Sequence, residues 1–202
     1  MFANSVFEVH AASLDGTGTV LEGSNRVILL DRDGVLNVDR PDSVKRVDEL
    51  EIETGAIEGC AILRAGGFGL CVITNQSAVG RGWIDRATLD AVNIELNRRL
   101  GGAIDHWYVC DHGPDAGCRC RKPDTLLLEQ AQADLGFIAA DTWFVADAAR
   151  DIEASRRFGC RPALVLTGKG AATAAKYPDL RAWSDLAALA RFVTGDSSGE
   201  SS

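Results

Sequence analysis

Three features of the sequence predict an α/β fold, a parallel sheet wound on both sides by helices in the Rossmann-like manner. Short apolar runs without polar alternation recur along the chain, as expected of strands buried on both faces. Segments with helical apolar spacing separate them, the pattern that specifies βα units and right-handed crossovers. Several of the runs also end abruptly in polar or charged groups, which places those groups at the carboxyl edge of the sheet, where such folds open a crevice.

The first run is Val27-Ile28-Leu29-Leu30, followed by Asp31-Arg32-Asp33-Gly34. A polar stretch from Val38 to Thr54 is long enough for a flap beside the strand end but too short for a domain. Ala56, Ile57, Cys60, Ala61 and Leu63 share helical spacing up to Gly66-Gly67. A second strand is expected over Gly69–Asn75, then a helix capped by Asp85 that carries Leu89, Val92, Leu96 and Leu100. Ile104–Cys110 reads as a third strand and leads to a cysteine-rich loop ending at Cys120. A helix from Asp124 turns Leu127, Leu128 and Ala131 inward, and a fourth strand, Thr142–Ala146, ends at Asp147. Ala149–Phe158 is helical and Ala163–Thr167 is a fifth strand. Ser184 or Asp185 caps a last helix with Leu186, Leu189 and Phe192 inward.

Residues 1–25 read as an appendage or hairpin, 26–194 as one domain, and 195–202 as a disordered tail without apolar content. With 202 residues, 46% hydrophobic and 25% charged, the chain has enough material for one well-buried core. The net charge of −8 argues against nucleic acid or an anionic membrane as partner. No run has the length to span a bilayer, and Glu8, His10 and Asp15 interrupt the place of a signal peptide, so a cytoplasmic location is expected.

Two carboxylates one residue apart at a buried strand end repel each other and lose hydration. Such a pair persists where a cation or proton is shared, and Mg2+, a hard ion that takes oxygen ligands, suits it. Alone, Asp31-x-Asp33 is equally compatible with an acidic strand end capping a loop. Gly34 lets the backbone turn sharply there. Cys110, His112, Cys118 and Cys120 offer three thiolates and an imidazole within eleven residues, the donor set of a closed tetrahedral Zn2+ site. A disulfide or a chance clustering of thiols is the alternative. Cys60, Cys71 and Cys160 fall among apolar neighbours and read as small core residues. His10 and His106 show no partner spacing.

Taken together, Asp31-Arg32-Asp33-Gly34-Val35-Leu36-Asn37, Thr74-Asn75-Gln76-Ser77, Arg121-Lys122-Pro123 and Asp147 with Asp151 resemble the four motifs of the haloacid dehalogenase (HAD) superfamily of phosphatases. The loop Cys110–Cys120 is similar to that of the D-glycero-D-manno-heptose 1,7-bisphosphate phosphatases and of the related histidinol-phosphate phosphatases. The resemblance covers roughly residues 27–170 and implies a HAD-like sheet. Asp31 is then the nucleophile and Asp33 the general acid and base. Mg2+ is held by Asp31, the Asp33 carbonyl and Asp147. Thr74 and Lys122 serve the phosphoryl oxygens, although Thr74 also fits a strand cap, Lys122 a solvated surface lysine and Asp147 a helix N-cap. Asp151, one turn on, positions Lys122 or metal waters, or else faces solvent.

Only a flap and the Zn2+ loop occupy the places where relatives insert a capping domain, so the site is expected to be open, without a large cap. Substrate selection falls to Asp39, Arg40, Asn75, Gln76, Ser77 and Arg121. Three departures stand out: Ala146-Asp147-Ala148 replaces Gly-Asp-basic, Arg40-Pro41-Asp42 replaces His-Gly-Tyr, and Asp124-Thr125-Leu126 replaces Pro-Gly-Met. The first removes a phosphate contact. The expected function is a Mg2+-dependent phosphatase acting, as a monomer, on a small phosphorylated metabolite, first a heptose 1,7-bisphosphate losing its C7 phosphate. Histidinol phosphate is the rival substrate, and a non-catalytic zinc-stabilised binding domain is the rival of another class.

Overall fold

A computed structural model describes residues 26–195. The expectations for residues 1–25 and for the tail beyond Gly195 lie outside the described residues. The described residues form six strands: β1 (Val27–Leu30), β2 (Gly69–Asn75), β3 (His106–Cys110), β4 (Trp143–Ala146), β5 (Arg161–Val165) and β6 (Ala182–Trp183). They form one wholly parallel sheet in the order β3-β2-β1-β4-β5-β6. The chain winds outward from β1 to β3, then returns to the other side of β1 at β4. Strand order therefore reverses between β1 and β4, and the carboxyl ends of those two strands border a crevice.

The helices are α1 (Ala56–Ala65), α2 (Ser77–Gly80), α3 (Arg86–Arg99), α4 (Leu126–Leu135), α5 (Ala149–Phe158), α6 (Gly170–Lys176) and α7 (Leu186–Thr194). Strand alternation distributes them between two cores. Ile28 and Leu30 of β1 join Cys60 and Leu63 of α1, Val92 and Leu96 of α3, and Leu186 and Leu189 of α7. Val27 and Leu29 join Leu127, Leu128 and Ala131 of α4 and Ala154 of α5 on the opposite face. The two-residue period of a strand carries this alternation to the next position: Asp31 shares the side of Leu29, the side of α4 and α5. Asp85 and Asp185 cap α3 and α7 as expected, accepting from Thr88 N–H and Ala188 N–H at 2.8 Å.

Among the described residues no large cap covers the crevice. The segment after β1 is a loop closed on itself by an antiparallel bridge between Asn37 and Ile52, with Val44 and Leu50 buried beneath it. Arg99 of α3 donates to Leu50 O at 2.7 Å and ties this flap to the body. No helix among the described residues is long and apolar enough to cross a membrane.

The structure shifts some elements. β5 runs over Arg161–Val165 and not 163–167, because Arg161 and Pro162 pair with Trp143 and Phe144 despite their poor strand composition. Arg161 N–H also donates to Thr142 O at 2.9 Å. β3 starts two residues later than expected, and α4 starts at Leu126 because Asp124 N–H closes a turn onto Arg121 O at 2.9 Å. The short α2, α6 and β6 had no periodicity to announce them. Phe192, expected inward, is 46% exposed and tilts over Trp183 with ring centroids 5.4 Å apart.

α1 and α7 pack closely because Gly59 has no side chain: a Cβ there would lie 2.6 Å from Leu186 Cγ and 2.8 Å from Leu186 C. Gly59→Ala is therefore expected to overpack this contact and cost about 1–3 kcal/mol. A thermal unfolding midpoint within a degree of the wild type would show that α7 can give way.

Candidate active site

Asp31 emerges from β1 almost completely buried. Its Oδ1 accepts from Arg32 N–H at 2.7 Å and lies 2.9 Å from Lys122 Nζ. Its Oδ2 is buried without a hydrogen-bond partner. One oxygen is thus fixed and the other left available. Lys122 is itself fully buried: Nζ donates to Ile73 O at 2.6 Å and also contacts Asp151 at 2.5 Å. The Asn75 amide holds the Lys122 main chain from both sides, donating to Lys122 O at 3.1 Å and accepting from Lys122 N–H at 3.0 Å. Asp151 is fully buried; desolvation, then the neighbouring Asp31 charge, push its carboxyl upward against Lys122 and Arg150.

Asp33 has a different environment, with its side chain 17% exposed. Its Oδ1 accepts from Arg32 Nη2 and Asn37 Nδ2, both at 2.9 Å, and its Oδ2 accepts from Gln76 Nε2 at 2.6 Å. Burial works to raise this carboxyl, but the Arg32 charge and these hydrogen bonds outweigh it and hold the group below its ordinary value. Arg32 is wholly buried and is braced from the far side by Asn93 Oδ1 at 3.0 Å. Gln76 also donates to Thr74 Oγ1 at 2.9 Å, and Thr74 is buried at the end of β2.

Asp147 follows β4 and faces Asp31 across the strand-order reversal. Gly34 and Gly168, both with positive φ, leave the room it occupies, since a Cβ on either would run into Asp147 Oδ2. Lys169 N–H donates to that oxygen at 2.8 Å, while Oδ1 is buried and unpartnered. Burial, then the Asp31 charge, push the Asp147 carboxyl up to about 7. One oxygen from each of Asp31, Asp147 and Asp151 lies within 4.8 Å of the others. Converging carboxylates with orphaned buried oxygens and mutual repulsion are the conditions that a hard divalent cation relieves, so these residues fit Mg2+.

The cysteine loop also converges. Cys110 Sγ lies 3.7 Å from both Cys118 Sγ and His112 Nδ1, and His112 Nδ1 lies 3.2 Å from Cys120 Sγ. Tetrahedral bonds of about 2.3 Å would separate sulfur ligands by about 3.8 Å, so the four donors fit Zn2+. All six cysteines are free thiols. The loop is joined to the site through Cys110 O, which accepts from Gln76 N–H at 2.7 Å, and through Gly80, which packs on Gly113 and donates to Asp111 O at 2.8 Å.

Among the expected substrate residues, Asn75 is occupied by Lys122 and Gln76 by Asp33 and Thr74. Ser77 opens α2, and Asp39 pairs with Lys169 across the mouth. Arg40 lies 3.6 Å from Asp42, and Arg121 keeps a buried Nη1 without a partner. Arg32, Lys169 and Arg150 are the residues that sequence reasoning passed over. A charged residue between Asp31 and Asp33 at a buried strand end had to be paired, which was a usable signal for Arg32. Arg150, three residues beyond Asp147, offered only its place in the first turn of α5.

Carboxylate-bearing strand ends around a β1/β4 reversal are the arrangement of the HAD-like class of hydrolases, and a family model described as HAD-hydrolase-like matches residues 119–188. The chain is 41% identical over 172 residues to the D-glycero-beta-D-manno-heptose-1,7-bisphosphate 7-phosphatase of Pseudomonas aeruginosa, covering 83% of this chain and 97% of that protein. It is 38% identical over 171 residues to the protein of the same name from Pseudomonas putida, covering 82% and 98%. A solved structure of D,D-heptose 1,7-bisphosphate phosphatase from B. bronchiseptica, complexed with magnesium and phosphate, superposes with a TM-score of 0.80 at 36% identity, covering 84% of this chain and 98% of that one. The chain belongs to this family of HAD-like phosphatases.

Asp147 supplies a pH test. In the metal-free protein its native carboxyl holds a proton up to about 7, against an ordinary value of 3.8. The native state then binds more protons than the unfolded chain, so this group makes stability fall as pH rises from about 4 to about 7. In chelator, the melting temperature of the wild type relative to Asp147→Asn should decline across that window, and excess Mg2+ should flatten the decline. A relative stability that rises with pH would show that Asp147 does not face repulsion.

Proposed function

We propose that the chain removes the C7 phosphate of a D-glycero-D-manno-heptose 1,7-bisphosphate, with residues 26–194 as the phosphatase unit. The observation that carries this reading is the split environment of Asp31: Oδ1 held by Lys122 and the Arg32 N–H, Oδ2 buried and unpartnered at the mouth of the crevice. Asp31 Oδ2 attacks phosphorus, and the bond between phosphorus and the sugar oxygen breaks. Asp33 gives its proton to the leaving alkoxide. Water then attacks phosphorus, returns a proton to Asp33, and the Asp31–phosphorus bond breaks to release inorganic phosphate.

The surroundings of Asp33 favour its charged form, which suits the second half of this sequence. For the first half, the incoming phosphate dianion is a like charge beside Asp33 and raises its proton affinity. Asp31, the main-chain carbonyl of Asp33 and Asp147 would hold Mg2+. When bound, the ion neutralises the carboxylates and draws charge from the phosphoryl oxygens. Thr74 offers its hydroxyl and neighbouring N–H groups to a phosphoryl oxygen. Lys122 acts mainly by holding Asp31 Oδ1, and Asn75 by holding Lys122. Asp39, Arg40, Ser77 and Arg121 line the approach, Arg121 with a buried donor left for a sugar hydroxyl or the second phosphate.

Cys110, His112, Cys118 and Cys120 take Zn2+ with no open ligand position, so its role is structural: it sets the loop on which Gln76 N–H rests. Six cysteines without a disulfide are typical of a reducing compartment, which supports a cytoplasmic location. The catalytic set is complete within one chain, in keeping with action as a monomer on a small phosphorylated metabolite.

Catalytic efficiency should be highest for heptose 1,7-bisphosphate in a phosphate-release comparison with histidinol phosphate and nucleotides; a higher value for histidinol phosphate would reassign the substrate. Asp33→Asn should lower turnover by about 10²- to 10⁴-fold. Retained turnover would remove Asp33 as the acid. Cys118→Ser should lower zinc content and the melting temperature together, whereas unchanged zinc by elemental analysis would rule out this ligand set.

A further inference from the structure

The residue after Asp147 is Ala148, which leaves no basic side chain at that position. The obvious remaining cation, Lys122, is already spent. Lys122 Nζ donates to Ile73 O at 2.6 Å and sits between two carboxylates as their ion-pair partner, 2.9 Å from Asp31 Oδ1 and 2.5 Å from Asp151 Oδ1. Arg32 is equally committed, to Asp33 and Asn93. A phosphoryl group arriving at Asp31 needs donors for its peripheral oxygens that neither of these can release without breaking the frame of the site.

Arg150, in the first turn of α5, is placed differently. Its Nη2 lies 3.9 Å from Asp31 Oδ2, the oxygen without a partner, and its Nε lies 3.7 Å from Asp151 Oδ2. Both separations exceed the about 2.8 Å of a charge-assisted hydrogen bond. The Nε is also a buried donor with no hydrogen-bond partner. The guanidinium is therefore drawn toward the reacting oxygen by carboxylate charge while its Nε stays uncommitted, and the side chain is 35% exposed. A planar fork of donors beside an unpartnered oxygen is suited to an anion that will be bonded to that oxygen.

We infer that Arg150 binds a peripheral oxygen of the phosphoryl group as it passes to and from Asp31, supplying the positive charge absent at position 148. This rests on the proposed phosphatase reading, and it adds Arg150 as a substrate-contacting residue. The bland alternative is that Arg150 only balances Asp31 and Asp151. The two differ in what a lost side chain changes: anion binding in the first case, stability alone in the second.

The test is calorimetric titration of inorganic phosphate into Mg2+-loaded wild type, Arg150→Ala, Arg150→Gln and Arg150→Lys, with Mg2+ affinity and melting temperature measured on the same samples. Phosphate affinity should fall about 10- to 100-fold in the alanine and glutamine variants. It should recover in part in the lysine variant, and added guanidinium salt should restore phosphate binding to Arg150→Ala. Mg2+ affinity should stay within about threefold of the wild type. Phosphate affinity within twofold of the wild type in whichever of the two neutral variants folds would overturn the inference. A wild type that binds phosphate through Arg150 but hydrolyses no ester would instead defeat the phosphatase reading, so the two failures are distinguishable.

Discussion

The structure depends on one unfavourable encounter, the meeting of Asp31, Asp147 and Asp151 in a buried space at the carboxyl edge of the sheet. Like charges out of water are costly, and burying them together is costlier still. The chain offsets this with Lys122 on one flank and Arg150 on the other, and by giving Asp147 the Lys169 N–H. The offset is incomplete. Asp147 remains pushed up to about 7, and one oxygen each of Asp31 and Asp147 has no partner. That residual imbalance is the condition that a divalent cation and an anionic ligand relieve, which a fully paired salt-bridge cluster would not offer.

Two neighbouring carboxylates in the same crevice are driven apart in behaviour by their surroundings. Asp147 is desolvated and repelled, so it leans toward its neutral form. Asp33 is held by Arg32, Asn37 and Gln76, so it leans toward its charged form. Opposed environments of this kind suit the roles proposed for them, Asp147 as a metal ligand and Asp33 as acid and base. The cysteine loop enters this arrangement indirectly. Cys110 O receives Gln76 N–H, and Gln76 in turn holds Asp33, so order in the loop is passed to Asp33 through one residue.

Most of this was legible in the sequence because it follows from strand periodicity. A run buried on both faces and ending in a carboxylate can only put that carboxylate at the sheet's edge, and Asp31, Thr74 and Asp147 are all found there. The cysteine spacing was legible because ligand geometry limits it. What was hidden depended on side-chain reach or on tertiary pairing. The register of β5 is set by β4 and not by its own composition, and α6 and β6 are too short to carry a period. Asn75 and Gln76 were read as facing substrate, but the fold turns them onto Lys122 and Asp33, their amides satisfying buried partners. Arg150 carried no motif at all; only the distance from its guanidinium to Asp31 makes it visible.

The central claim is that Asp31 Oδ2 is the atom on which the phosphoryl group rests between the two halves of the reaction. Crystals of the Mg2+-loaded protein soaked with beryllofluoride, a stable mimic of an acyl phosphate, test it directly. Density for the mimic joined to Asp31 Oδ2 is the expected result; an adduct on Asp33 or Asp147, or an ordered mimic bonded to no carboxylate, would contradict the account.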